Sequence, residues 1–261
     1  MRIAAGIEYD GSAFSGWQTQ PHAPSVQDAV EQAFSKVADH NVKVVCAGRT
    51  DAGVHGLGQV VHFDTDVHRR QRSWVLGANS NLPASVNVCW TREVPEDFHA
   101  RFGAVARSYR YVILNRWVRS AVYATRATWI HEPLDADAMH RAAQYLRGEH
   151  DFSSYRALAC QAKSPIRTIG KISVARDAEW VTLEITANAF LHHMVRNIAG
   201  VLIAIGKHEQ AEDWTREVLD HRDRALGGVT APPQGLYFIG PRYPERFAIP
   251  GRQIWLPENE R

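Results

Sequence analysis

Reactive side chains are concentrated in one glycine-rich stretch of the chain, AGRTDAGVHGLG at residues 47–58. A guanidinium, a hydroxyl, a carboxylate and an imidazole stand there among four glycines, on Arg49, Thr50, Asp51 and His55. Glycine permits tight turns and lets a backbone approach a ligand closely, so this composition suits a loop that holds a ligand. Composition alone fits a hairpin connection equally well, with Asp51 capping a turn.

Metal and cofactor chemistry finds little support elsewhere in the chain. His192 and His193 are adjacent rather than spaced for one metal, and His55 and His62 lack a supporting ligand set. The sequence contains no GxxxxGK[ST], no dinucleotide-binding glycine pattern opening a helix and no HExxH. We therefore predict no metal and no cofactor, and interpret these histidines as core or loop residues.

The elements that position the glycine-rich loop can be predicted from periodicity. Alternation from Ile3 to Tyr9 predicts a strand, and apolar spacing after Ser25, which can cap the first turn, predicts a helix. Residues 42–46 and 59–64 are predicted as strands on either side of the loop. A helix over 69–78 and a strand from Val86 to Trp90 complete the strand, helix, strand, strand, helix, strand order of a ferredoxin-like unit.

The second half of the chain repeats that order. The pattern predicts strands at 106–114, 169–174, 181–185 and 236–239, and helices at about 135–147, 191–205 and 211–219. Tyr109, Tyr111 and Ile113 share one face of the first of these strands. We predict an α+β fold of two ferredoxin-like βαββαβ halves, residues 1–104 and 105–246, and a C-terminal tail, 247–261, that packs on the surface or frays.

Length and composition exclude several classes of protein. With 261 residues, 45% hydrophobic and 22% charged, the chain can bury a core without disulfides or metals. Three distant cysteines favour a reducing cytoplasm. The most apolar stretch, 194–205, is interrupted by Arg196 and Asn197 and falls short of the roughly 20 residues that span a bilayer. A formal charge of +2 does not identify a partner.

Several motifs together carry a more specific resemblance. The strings YDGSAFSGWQ (9–18), GRTDAGVHGLGQVVHF (48–63), RSYRYVIL (107–114), FLHHMVRNIAG (190–200) and APPQGLYF (231–238) closely resemble, in order, the signature of tRNA pseudouridine synthases. The resemblance covers nearly the whole chain and implies a pseudouridine synthase fold, with a mostly antiparallel central sheet and a cleft between the halves.

The resemblance implies a role for each of five residues. Asp51 is the nucleophile that acts while uracil is detached from ribose, rotated and rejoined through carbon. Arg196, which interrupts an otherwise apolar helix, pairs with Asp51 and favours its charged form. Tyr109 stacks on the base, and whether it also accepts the proton from carbon 5 stays open. Arg49 assists base flipping and Leu236 lines the uracil pocket. Each of these three residues has an open alternative. Tyr109 could pack in its strand, Arg49 could contact a phosphate or stabilise the loop, and Leu236 could belong to the core.

The implied substrate is tRNA, at uridines 38, 39 and 40 of the anticodon stem-loop, bound by a cytoplasmic homodimer without a membrane role. Basic clusters could line the RNA cleft, although charge runs are usually solvated faces; they comprise Arg69, Arg70, Arg72, Arg107, Arg110, Arg116 and Arg119.

Two other functions would use the same residues. One is a ferredoxin-like RNA-binding module without catalysis, in which Tyr109 and Tyr111 stack bases. The other is a glycosidase that uses Asp51 but releases the base and leaves an abasic site.

Overall fold

The computed structural model describes residues 1–250, which form ten strands and five α-helices. The strands are β1 (Arg2–Tyr9), β2 (Val45–Cys46), β3 (His55–Asp64), β4 (Val86–Val94), β5 (Ala106–Asn115), β6 (Thr128–Ile130), β7 (Gly148–Asp151), β8 (Ile166–Asp177), β9 (Trp180–Ala187) and β10 (Leu236–Arg242). The helices are α1 (Val26–Ala38), α2 (Gln71–Asn79), α3 (Ala136–Gln144), α4 (Met194–Gly206) and α5 (Trp214–His221).

All ten strands belong to one sheet, in the order β4-β1-β3-β10-β5-β9-β8-β7, with β2 paired to β3 and β6 to β5. The pairs are antiparallel except β10 with β3 and β5 with β6. The predicted α+β class and mostly antiparallel sheet are therefore confirmed. The last strand, β10, joins the two halves of the sheet, because Tyr237 and Phe238 pair with the start of β3 while β10 also pairs with β5.

The helices form where apolar residues recur at helical spacing. Helix α1 begins as predicted, with the Ser25 hydroxyl accepting from the Asp28 N–H, and buries Val30 and Phe34 against the sheet. Helix α4 begins at Met194 instead of the predicted 191, because His193 adopts a left-handed conformation that a helix cannot contain. No helix within residues 1–250 has the length and apolar character needed to cross a membrane.

Several other elements differ from the predictions. Strand β2 is confined to Val45–Cys46 of the predicted 42–46, because only these residues pair with β3. Strand β3 begins at His55, so the last four residues of the predicted loop are already extended and paired. Strands β6 and β7 were not predicted, since three and four residues are too few to show alternation. Helix α3 stops at Gln144 and α5 runs from Trp214 to His221, shifts of two or three residues at their ends.

The core consists of three apolar clusters, one under each half of the sheet and one where the halves meet. The third contains Phe98, Phe238 and Phe247. Phe247, the first residue of the predicted tail, is buried with its ring 5.2 Å from that of Phe98, so the tail begins packed against the protein and does not fray there. Residues 251–261 of the tail lie outside the described residues.

A buried histidine in β3 makes stability depend on pH. His62 is 4% exposed, and its Nδ1 accepts from the Ala100 N–H at 3.1 Å. Burial, followed by the charges of Arg2 and His99, lowers the pKa of His62 to about 4. Because an unfolded histidine keeps a pKa near 6.5, the unfolded chain binds this proton first. The free energy of unfolding should therefore fall as pH drops from about 6.5 toward 4, by roughly 3 kcal/mol from this group.

Urea unfolding at pH 7 and at pH 4.5 measures this loss. His62→Gln keeps an acceptor for Ala100 and should lose much less stability on acidification than the parent chain. His68→Gln, which changes an exposed histidine, should behave like the parent chain. Equal pH dependence in the His62 variant and the parent chain would contradict the assignment.

Candidate active site

The backbone around Asp51 is held by the segment that follows β1. The Trp17 N–H donates to the Thr50 carbonyl at 3.0 Å, and the Thr50 and Tyr9 hydroxyls lie 2.8 Å apart in the core. The Val54 N–H closes a turn on the Asp51 carbonyl at 3.2 Å. The first and second motifs of the sequence therefore form one unit, in which the upstream segment supports the loop that carries the carboxylate.

Gly16 is a close point of contact between the two motifs and has a positive φ. Its φ is +103°, and a Cβ built on it would lie 2.7 Å from the Thr50 carbonyl oxygen. We expect Gly16→Ala to destabilise the fold by roughly 1–3 kcal/mol, because alanine disfavours this conformation and the contact is with backbone. Displacement of the neighbouring Asp51 should also lower turnover about 100-fold.

Thermal unfolding and initial rates measure the two effects separately. Gly170→Ala is the matched control, because a Cβ there would meet its nearest atom, the Thr186 carbonyl oxygen, at 3.9 Å. The prediction fails if both glycine variants unfold and turn over alike.

The Asp51 carboxylate faces the start of α4. Its Oδ2 lies 3.3 Å from Arg196 Nη1, in a pair whose side chains are 23% and 13% exposed. Arg196 Nε donates to the Ala231 carbonyl at 2.8 Å, while the Ala231 N–H donates back to the Arg196 carbonyl. The guanidinium is thus held by the Ala231 carbonyl and the Asp51 carboxylate, and the pairing that the resemblance implied is present in the structure. The ion pair is half-buried with one open side, so the carboxylate is held in place yet remains reachable.

Two histidines that sequence reasoning set aside also contact this carboxylate. His192 Nε2 lies 3.3 Å from Oδ1, and His193 Nε2 lies 3.4 Å from Oδ2. The two rings are 4.1 Å apart, because the left-handed backbone of His193, with φ of +62°, turns both side chains to the same side. Both lie in the turn before α4, so they are loop histidines as predicted, but the prediction missed their contact with Asp51. A polar pair between Leu191 and Met194, at the start of an apolar helix, was the signal available in the sequence.

Although they are adjacent in sequence, His192 and His193 could therefore bind the same ligand. The ligand atoms of Asp51, His192 and His193 lie within 4.8 Å of one another, so this group could hold a divalent cation. The Arg196 guanidinium contacts the same carboxylate, and its charge opposes a cation there. Burial, partly offset by Asp51, lowers the pKa of His193, so its imidazole is neutral at pH 7.

Tyr109 borders the same region from β5. Its ring meets Phe190 edge-on at 5.0 Å and lies 5.0 Å from Phe238, so aromatic packing holds it in place. The side chain is only partly buried, and within residues 1–250 its hydroxyl has no hydrogen-bond partner. Burial raises the pKa of the Tyr109 phenol, and the charge of nearby Asp51 raises it further. The phenol therefore stays protonated at neutral pH.

The other two predicted site residues differ in their surroundings. Arg49 is exposed, two residues before Asp51, and makes no side-chain hydrogen bond or ion pair within the described part of the chain. Leu236 is 5% exposed and belongs to the core of the second half. In the sheet Leu236 is opposite Tyr111, and Phe238, two residues on, is opposite Tyr109.

Most of the arginines predicted to meet RNA have partners within the protein. Arg107 donates to backbone carbonyls, among them Asn188 at 3.0 Å and Ala104 at 3.1 Å. Arg69 bonds the Val37 carbonyl, and Arg110 and Arg116 pair with glutamates. Arg107 is therefore better described as a structural residue of the fold.

Comparison with known proteins gives one consistent result. A family model described as "tRNA pseudouridine synthase" matches residues 5–103 and 142–244, ranges that contain Asp51, Arg196 and Leu236, with Tyr109 between them. The chain is 56% identical over 250 residues to "tRNA pseudouridine synthase A" of Nitrosococcus oceani, covering 96% of both chains. It is 57% identical over 249 residues to the protein of that name from Methylococcus capsulatus, covering 95% of this chain and 92% of the relative.

Among solved structures, a chain of the "Crystal Structure of a Cbf5-Nop10-Gar1 Complex" aligns at 12% identity with a TM-score of 0.33. That alignment covers 77% of this chain and 45% of the other. A likeness at this level supports no conclusion about the site.

Proposed function

Because this chain belongs to the family of tRNA pseudouridine synthases, we propose that it isomerises uridine to pseudouridine in tRNA, with Asp51 as nucleophile. The observation that carries the assignment of Asp51 is its position: a partly exposed carboxylate 3.3 Å from the fixed guanidinium of Arg196. Tyr109, the aromatic residue that a base could stack on, borders the same region.

The proposed chemistry redistributes bonds without oxidation or reduction. The bond from uracil N1 to ribose C1′ breaks, the base rotates, and a bond from C5 to C1′ forms. The proton on C5 leaves, and N1 gains one. Asp51 can attack either the sugar carbon or the pyrimidine ring, since one ionised carboxylate serves for both.

The other predicted residues take supporting roles in this proposal. Tyr109 stacks on the detached base, an assignment that its aromatic neighbours and protonated phenol both favour. Arg49 is exposed and makes no side-chain hydrogen bond or ion pair within residues 1–250. In this proposal it assists flipping of the uridine out of its stem. Leu236 lines the uracil pocket, and its position beside Phe238 on the same face of β10 supports this role.

We also propose that the sheet is a duplication of two ferredoxin-like halves with the RNA cleft between them. Both halves follow one strand order, β4-β1-β3-β2 in the first and β10-β5-β9-β8 in the second. In each order the strands connect as βαββαβ, which supports a repeated unit. The boundaries at 104 and 246 remain those of the sequence analysis.

By the same resemblance we propose that the protein works in the cytoplasm as a homodimer on uridines 38, 39 and 40 of the anticodon stem-loop. The exposed apolar side chains of Trp117, Val118 and Val122, which are 84%, 66% and 72% exposed, offer a face that a second copy could cover. Sedimentation of the parent chain against Trp117→Lys would detect loss of such a dimer.

Release of tritium from tRNA labelled at uracil C5 tests the proposed reaction. Steady release, with strands recovered intact and pseudouridine at positions 38–40, is the expected result. Tight binding without release would identify an RNA-binding module instead. Release of free uracil with strand breaks at abasic sites would identify a glycosidase.

A further inference from the structure

A basic cavity lies beside the candidate active site, on the side of the second half. It has a volume of about 180 Å³ and lies between residues 153–158 and residues 222–224. Three arginines line it, Arg156, Arg222 and Arg224, against one carboxylate, Asp223, so its charge is strongly positive. None of these arginines was among the basic residues predicted to meet RNA.

Hydrogen bonds connect the cavity directly to the residues around Asp51. The N–H of Ala157, which lines the cavity, donates to the His192 carbonyl at 2.9 Å. Arg224 Nη2 donates to Asn197 Oδ1 at 3.2 Å, next to Arg196 in sequence, and its charge acts on His193. A molecule whose reacting part lies at Asp51 can therefore place a neighbouring group in this cavity.

The arginines differ in how firmly they are held. Arg224 is anchored, because the same Nη2 also donates to Thr230 Oγ1 at 2.9 Å. Arg156 and Arg222 make no side-chain hydrogen bond or ion pair within residues 1–250. Asp223 is engaged elsewhere, since its Oδ1 accepts from the Ala225 N–H at 2.9 Å. Two arginines that line one cavity and have no partner within residues 1–250 form an incomplete arrangement that an anion would complete.

The size and chemistry of the cavity indicate which anion. A volume of 180 Å³ is below the roughly 300–1,000 Å³ of sites for small organic ligands, but it has room for one phosphate group. Guanidinium groups bind phosphate oxygens in a bidentate manner and carry no sequence preference. Building on the proposed function, we propose that Arg156 and Arg222 bind a backbone phosphate of the tRNA close to the uridine held at Asp51.

Salt dependence of tRNA binding tests this site. Each phosphate contact releases condensed counterions, so each lost contact flattens the plot of log affinity against log salt by about 0.7–0.9. Arg156→Gln and Arg222→Gln should each show this change, together with a roughly tenfold loss of affinity at low salt. Binding is measured on full-length chains carrying Asp51→Asn, with unmodified tRNA transcript, so that turnover does not intervene. With Asp51 intact, KM should rise while kcat at saturating tRNA stays within about twofold.

Arg216→Gln is the matched control. It removes the same charge from α5, where the guanidinium lies 4.4 Å from the Tyr145 ring centre and does not line the cavity. An equal change in slope for Arg216→Gln would show that only overall charge matters and would overturn the proposal. Unchanged slopes for Arg156 and Arg222, or a fall in kcat at unchanged KM, would overturn it as well.

These outcomes are distinct from failure of the proposed function. If chains with intact Asp51 neither bind nor turn over tRNA, the substrate is wrong. If they do both and the arginine variants keep the parent salt slope, only the phosphate site is wrong. Thermal unfolding of each variant shows whether a loss reflects the fold.

Discussion

Asp51→Asn should fold, bind tRNA and lose turnover by at least about 1,000-fold, the largest effect of any single change. The amide is nearly the same size as the carboxylate, and its oxygen can still accept from Arg196 Nη1, which lies 3.3 Å away in the parent chain. It carries no charge and cannot act as a nucleophile. Tritium release from C5-labelled tRNA measures the loss.

Asp66→Asn is the control for this experiment, because it removes one charge from an exposed carboxylate elsewhere. It should leave both binding and turnover at parent levels. Residual turnover of Asp51→Asn within tenfold of the parent rate would refute the assignment of Asp51. A loss of tRNA binding of similar size would instead indicate a role in recognition.

Arg196→Met should lower turnover by about 100-fold or more, since the carboxylate loses the cation that stabilises its charged form. The change also removes the donor to the Ala231 carbonyl, in a residue 3% exposed, and should cost roughly 1–3 kcal/mol of stability.

Arg196→Lys separates charge from geometry. It keeps a cation near Asp51 but cannot bond Ala231 and the carboxylate in the fixed planar manner of a guanidinium. Its turnover should fall less than that of Arg196→Met, because a cation stays near the carboxylate. If Arg196→Met turns over tRNA at the parent rate, the ion pair has no part in the reaction.

Sequence predicted the parts of this fold that depend on local periodicity. The alternation of β1 and the Ser25 cap of α1 were both found, because each follows from neighbours in the chain. The interruption of an apolar helix indicated that Arg196 needs a partner, because a cation in an apolar surface is costly when unpaired. The resemblance to the family identified that partner as Asp51, and the two side chains are paired in the structure.

What escaped prediction depends on contacts distant in sequence. The left-handed backbone of His193 has no local cause such as glycine, so the approach of His192 and His193 to Asp51 could not be inferred from spacing. The charge of Arg107 led us to predict a contact with RNA. Only the fold shows that backbone carbonyls from other segments surround its guanidinium.

The pairing of β10 has a consequence for how the protein is made. Tyr237 and Phe238 bond to the start of β3, directly after the Asp51 loop, and Phe238 packs on Tyr109. A nascent chain can form β1, α1 and β3 early in synthesis. The start of β3 lacks its β10 partner until residues near 238 leave the ribosome. Catalytic competence is thus acquired near the end of translation, and fragments truncated before β10 would expose an unpaired strand edge prone to aggregation.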